Sequence, residues 1–128
     1  MSRGGIDTRE VGTPEVGLGD NQFETGSINV AANATIKKGA LLKRDAGGNF
    51  ALVTDLANDT PVAINPFDIV NKSGSAADMS MRGMIFGRVR ADLLNVNGLP
   101  VTSPAFFDKI RANTLCVPIR VNDISHTS

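Results

Sequence analysis

Few residues of this chain could act as a catalytic base or nucleophile. The single histidine, His126, stands near the end of the sequence. A general base must be held within hydrogen-bond reach of its substrate by rigid surroundings, and terminal residues rarely supply these. The single cysteine, Cys116, stands between Leu115 and Val117. Since a reactive thiol needs an electropositive, partly exposed niche, we expect Cys116 to be a packed core residue and predict no catalytic residue.

Metal and cofactor sites lack ligands in the sequence. One cysteine and one histidine cannot form a zinc site. Asp55 with Asp59, or Asp45 with Asp55, could supply oxygen ligands, but the twelve-residue calcium loop is absent. Acidic residues beside turns usually bond to the turn's own main chain. We therefore expect turn-forming aspartates, no metal and no cofactor.

The sequence also argues against phosphate, nucleic-acid or membrane binding. Gly12-x-x-x-x-Gly17 lacks the Lys-Ser/Thr that completes a phosphate loop. Arg82, Arg88 and Arg90 lie close together, but the chain has no net charge, no tryptophan and no tyrosine, so neither electrostatic attraction nor a full stacking ladder is expected. We expect a solvated or subunit-facing arginine face. No stretch of about 18 apolar residues is present to span a bilayer, and no signal peptide is recognised. A single cysteine cannot form an internal disulfide, which favours a reducing compartment or an intracellular assembly.

Residues 1–27 differ in composition from the remainder. They contain six of the thirteen glycines and all three glutamates, and their net charge is −3 against +3 for the other residues. Their apolar residues fit neither helical nor strand periodicity, so we predict a flexible N-terminal arm that orders by adding a strand to a partner's sheet. The apolar arm residues are Ile6, Val11, Val16, Leu18 and Phe23.

Residues 28–121 have the pattern of a small β-rich domain, followed by a polar tail over residues 122–128. Gly47 and Gly48 indicate a hairpin turn, and Ser103-Pro104 indicates the start of one helix that ends near Asn113. The sequence thus predicts a mainly β fold, sandwich-like or barrel-like, with one short α-helix and an extended N-terminal arm. The strands are expected at Ile28–Ala32, Ala40–Lys43, Phe50–Thr54, Pro61–Asn65, Gly83–Leu94 and Leu115–Val121.

The order of these motifs resembles a known family. Ile36-Lys-Lys-Gly-Ala-Leu-Leu, Asp45-x-Gly-Gly-Asn-Phe-Ala-Leu-Val53 and Thr60-Pro-Val-Ala-Ile64 precede the Gly83–Leu94 strand, the helix and the last strand. This series is similar to the head-decoration, or cement, proteins of tailed bacteriophages. The resemblance implies a non-enzymatic homotrimer on the outer surface of the expanded capsid, made in the host bacterial cytoplasm, whose arm lies along the major capsid protein.

On this interpretation the five apolar arm residues bind the capsid, while Arg88 and Arg90 contact a neighbouring subunit or the shell. A solvated strand face accounts for the two arginines equally well. Two alternatives stay open at the level of the sequence: another virion component of the tail, baseplate or head fibre, and a small β-barrel enzyme or ligand-binding module.

Overall fold

Strands make up most of the regular structure between residues 15 and 120, the range that the computed structural model describes. A 3₁₀ turn, Ala91–Leu93, follows the longest strand. The only α-helix of the described range is α1 (Pro104–Asn113). The strands are β1 (Gln22–Val30), β2 (Thr35–Ile36), β3 (Leu41–Arg44), β4 (Phe50–Leu52), β5 (Ala63–Ile64), β6 (Ile69–Val70), β7 (Ala77–Arg90), β8 (Asn95–Val96), β9 (Leu99–Pro100) and β10 (Leu115–Ile119).

Five of these strands close into a barrel. The sheet order is β1-β4-β3-β5-β7, and β1 also pairs with β7 to complete the ring. The β1–β4 pairing is parallel and the other barrel pairings are antiparallel. β10 extends the sheet by pairing parallel to the second half of β7. The prediction of a mainly β, barrel-like domain with one short helix is confirmed.

The ring of Phe50 fills the middle of the barrel. Phe50 is 1% exposed and packs with Ile28, Leu42 and other buried aliphatic side chains. Gly26 and Gly83 leave the space that this ring occupies: a Cβ atom on Gly26 would lie 2.6 Å from Phe50 Cε2, and one on Gly83 would lie 2.8 Å from Phe50 Cζ. Both positions therefore require glycine for steric reasons.

A second apolar cluster lies against the outside of the barrel wall. Ile110 of α1 is fully buried in it, together with Val89 and Cys116. Phe106 and Phe107 pack at its border, so Phe106 and Ile110, four residues apart, share the buried face of the helix. Ser103 begins α1 through its main chain, because its carbonyl oxygen accepts from Phe106 N at 3.0 Å while its side chain makes no capping bond.

The predicted arm is wrong for its described part, residues 15–27. β1 begins at Gln22, so the expected boundary at Ser27 falls inside a nine-residue strand. Val16 also belongs to the body of the protein: it is 1% exposed, and its carbonyl oxygen accepts from Arg90 N at 2.8 Å. Residues 1–14, with Ile6 and Val11, and residues 121–128, with His126, lie outside the described residues.

A break in strand pairing explains why this segment does not show strand periodicity. Gly17 pairs with Val89 and Gln22 pairs with Phe86, so five steps along the N-terminal segment match three steps along β7. The extra residues form a bulge, a device that shifts which side chains face the core. The apolar residues on the two sides of the bulge therefore do not share one alternating pattern.

β7 is longer at its start and shorter at its end than expected. It begins at Ala77 rather than Gly83 and ends at Arg90 rather than Leu94, where the 3₁₀ turn takes over. Val89 and Ala91 are buried. Met84, on the opposite strand parity, is also buried, because Gly17 and Asn21 cover it.

The Gly-Gly hairpin turn is present between β3 and β4. Gly48 has a φ of +86°, the conformation for which glycine was expected. Asp45 holds the turn: its Oδ1 accepts from Gly47 N at 2.9 Å and from Asn49 N at 3.0 Å. This aspartate therefore acts as a turn-former, in agreement with its sequence context.

Candidate docking surface

The thiol of Cys116 is buried and chemically protected. The side chain is 0% exposed, and its sulfur lies 3.6 Å from the carbonyl oxygen of Met84. Burial raises the pKa of Cys116 to about 11, so the thiol stays protonated at neutral pH. The prediction of a packed core cysteine is confirmed.

Asp59 binds the main chain of its own loop and one lysine of β3. Its Oδ2 accepts from Thr54 N at 3.1 Å and from Asp55 N at 3.2 Å, and its Oδ1 accepts from Lys43 Nζ at 3.1 Å. The Thr54 N–H, aided by the Lys43 ammonium, lowers the pKa of Asp59 from its ordinary value. All these partners are internal, so Asp59 stabilises a turn.

Clusters of three or more histidine, cysteine, aspartate or glutamate side chains that could hold a metal ion do not occur between residues 15 and 120. Among the helices of that range, none is long and apolar enough to cross a membrane.

Three exposed apolar side chains lie together on the outer face of β7 and β10. Leu115 pairs with Phe86 and Val117 pairs with Arg88, and paired residues of neighbouring strands point to the same side of a sheet. Leu115 is 68% exposed, Phe86 42% and Val117 38%. We call this face, with Phe86, Arg88, Leu115 and Val117, the outer strip.

The two predicted arginine contacts lie on or beside the outer strip. Arg88 is exposed, and its Nη2 makes a long hydrogen bond of 3.5 Å to the carbonyl oxygen of Leu18. Arg90 is half-buried and binds Asp92 through two bonds, Nε to Oδ1 at 3.1 Å and Nη2 to Oδ2 at 2.9 Å. Arg88 is therefore the more available of the two for a partner.

The edge of β10 that faces away from β7 is buried and closed to strand addition. Thr114 Oγ1 donates to Ile110 O at 2.8 Å and accepts from Cys116 N at 3.0 Å. Pro118, which shares that edge, has no N–H group. An edge without free donors is a poor template for another strand. A partner at this side of the protein therefore meets the face of the sheet.

Both ends of the described chain lie next to the outer strip. Val16 bonds to Arg90 from one side of β7, and Ile119 pairs with Arg90 from the other side. Two strand spacings of about 4.8 Å separate these neighbours, roughly 10 Å in total. The segments that precede Glu15 and follow Arg120 therefore begin at one end of the barrel.

The predicted arm residues have different surroundings in the structure. Val16 is in the core and Leu18 is half-buried, with its N–H donating to Arg88 O at 3.0 Å. Val16 is therefore not free to bind a partner, whereas the prediction for the Leu18 side chain stays untested. Phe23 is 37% exposed, and the guanidinium of Arg82 lies 5.1 Å from the centre of its ring. Of the described arm residues, Phe23 alone presents substantial apolar surface.

Sequence reasoning missed the outer strip, although a signal was present. Phe86 has the same strand parity as Arg88, which was expected to face outwards, and Leu115 and Val117 alternate with a buried cysteine. Every second residue of a strand faces the same side of the sheet. Examining the outward-facing residues of both strands for apolar side chains would have identified these three residues.

No protein-family model matches the chain, and no curated protein matches it in sequence.

Proposed function

We propose that the protein is a structural, non-enzymatic virion component that binds the outer surface of the expanded phage capsid. It stabilises the shell by clamping neighbouring subunits of the major capsid protein. The proposal unites the family resemblance of the motifs with a barrel that presents an apolar surface beside its two chain ends.

The outer strip is the observation on which the proposal depends. Its three apolar side chains are held by the paired strands β7 and β10, so little conformational entropy is lost when a partner covers them. Arg88 supplies a neighbouring cation for orientation. Covering a Leu or Phe side chain contributes about 1.5–3 kcal/mol, so this small patch gives weak binding by itself.

Several copies acting together make a weak contact effective. In the proposed trimer, binding of the first copy raises the effective concentration of the others, and avidity exceeds single-site affinity by about 10²–10⁴-fold. Ile6 and Val11 remain predicted capsid contacts of the N-terminal segment. Neither nucleic acid nor membrane is a proposed partner.

The test is a binding experiment with expanded capsids that lack the protein. The full chain is mixed with them, and the bound copies per major capsid protein are counted on gels and by cryo-EM. We expect saturation at a fixed stoichiometry and a higher temperature of capsid rupture. A tail, baseplate or fibre component would be present at low copy number, and an enzyme would leave the rupture temperature unchanged.

A matched pair of variants tests the surface itself. Leu115→Ser removes apolar area from the outer strip, while Leu99→Ser changes a similarly exposed leucine, 72% exposed, on the β8–β9 hairpin. We expect Leu115→Ser to weaken capsid binding roughly 10- to 100-fold and Leu99→Ser to have little effect. Equal binding by both variants would assign the contact to another face.

A further inference from the structure

Two adjoining surface cavities form one groove past Phe67. The first, of about 220 Å³, is bordered by Glu15, Val16, Phe23 and Met84. The second, of about 280 Å³, runs along Met79–Arg82. Pro66 and Phe67 line both cavities, so the two are continuous. We call them together the Phe67 groove.

The groove lies along an unpaired stretch of β7. Over Ala77–Arg82, β7 pairs with β1 on one side. On its other side, β5 meets β7 at Met84 and β10 begins its pairing at Phe86, while β6 pairs with β2 instead. No strand between residues 15 and 120 pairs with Ala77–Arg82 from the groove side. An edge of this kind is a template for an added strand.

Apolar side chains surround this edge. Phe67 is 58% exposed and Val70 is 42% exposed, while Met79 and Met81 form the more buried wall of the groove. An unpaired strand edge beside apolar side chains is the arrangement by which proteins bind extended peptide segments. The main chain supplies hydrogen bonds, and the apolar wall receives alternate side chains of the segment.

The position of Glu15 indicates which segment is nearest. Glu15 borders the first cavity, and residues 1–14 precede it. Val16 lies beside Arg90 and the chain there runs antiparallel to β7, so the segment before Glu15 must turn back to enter the groove. Fourteen extended residues reach about 46 Å, whereas the β7 stretch from Arg90 to Met79 spans about 36 Å. The segment therefore has enough length to follow the whole groove.

The composition of residues 1–14 also fits the groove. The segment contains Ile6 and Val11 for the apolar wall, and its two arginines balance its two acidic residues. The second cavity has one charge of each sign on its border, Asp68 and Arg82. A segment with both signs of charge can form favourable pairs with the two.

We propose that residues 1–14 occupy the Phe67 groove of their own chain in the free protein and add a strand to the Ala77–Arg82 edge of β7. This inference concerns the free protein and does not require a capsid. A regulatory consequence rests on the proposed function: Ile6 and Val11 would be covered until the segment leaves the groove to bind the shell.

Amide hydrogen exchange in the full-length protein tests the inference. We expect slow exchange for the amides of Ala77–Arg82 that point away from β1. In the double variant Ile6→Asp/Val11→Asp, these amides should exchange about tenfold faster or more, because their protection comes from the local opening equilibrium. Phe67→Ser, on the groove wall, should have the same effect. Ile124→Asp, in the other terminal segment, is the matched control.

Each outcome decides the question. Fast exchange of these amides in the unmodified protein, or slow exchange that the substitutions leave unchanged, overturns the proposal. Protection that disappears on tenfold dilution shows that the segment comes from a second copy, which also contradicts occupancy within one chain. Because capsids are absent from this experiment, its failure leaves the proposed capsid binding to be judged separately.

Discussion

The side-chain amide of Asn21 occupies the space beside Gly87 that a Cβ atom would need, since a Cβ built on Gly87 would lie 2.4 Å from Asn21 Nδ2. The amide donates to the carbonyl oxygens on both sides of that glycine, Phe86 O at 3.2 Å and Arg88 O at 3.0 Å. Across the bulge, a side chain thus supplies hydrogen bonds that a regular strand would supply from its main chain. Asn21 therefore joins the N-terminal segment to β7.

Gly87→Ala should destabilise the protein by about 2–4 kcal/mol, because it combines an unfavourable φ of +117° with the overlap at Asn21. Gly98→Ala is the control: its φ is +90° and its Cβ would meet open space. Chemical denaturation measures both. Equal losses of stability in the two variants would mean that Asn21 moves aside without cost. The double variant Gly87→Ala/Asn21→Ala tests the overlap directly, because it removes the side chain that the new methyl group would meet.

Gly83→Ala should destabilise the barrel by about 1–3 kcal/mol through overpacking, since the new methyl group would meet both Phe50 and Ala63. Combining it with Phe50→Leu should produce a smaller loss than the two single changes add up to. Gly74→Ala, where the methyl group meets nothing, should be nearly neutral. Additive losses in the double variant would contradict direct contact between the methyl group and the ring.

Acidification should remove the stabilisation that Asp59 provides. Its pKa is lowered in the folded state, so this contribution is complete above the unfolded pKa of about 3.9 and is lost as the pH falls through the folded value. Asp59→Asn should therefore be less stable than the parent at pH 7, and the difference should narrow below about pH 4. Thermal melts from pH 2 to 7 measure this, with Asp108→Asn on α1 as the control for net charge. If the difference in stability between Asp59→Asn and the parent stayed constant from pH 2 to 7, titration of the Asp59 carboxylate would not be its cause.

Loss of the Thr114 hydroxyl should destabilise the protein. Thr114→Val removes the acceptor for Cys116 N, and because Cys116 is 0% exposed, its N–H would be left without a partner away from water. Such a buried, unsatisfied donor costs about 1–3 kcal/mol. Chemical denaturation measures the loss, with Thr102→Val at an exposed position as the control. An unchanged free energy of unfolding would show that Cys116 N finds another acceptor.

The sequence predicted those elements whose signals are local. The Asp45–Asn49 turn, the start of α1 at Pro104 and the burial of Cys116 each depend on a few neighbouring residues, and all agree with the structure. The predicted arm boundary was wrong because the pairing of Gln22–Val30 with β7 joins residues 47 to 64 positions apart in the sequence. A periodic pattern within one short segment carries no signal of such a distant pairing. The outer strip was missed for a related reason, since Phe86 and Leu115 become neighbours only through the pairing of β10 with β7.

The closeness of Glu15 and Arg120, on either side of Arg90, has a consequence for rewiring the chain. A linker of a few residues could join them, and the barrel could be opened instead at the exposed Gly74 without altering any strand pairing. Such a circular permutant would keep the same contacts with a new chain order, because sites of this kind tolerate cutting. It would carry any attached cargo at the Gly74 loop, beyond the start of β7, rather than beside the outer strip.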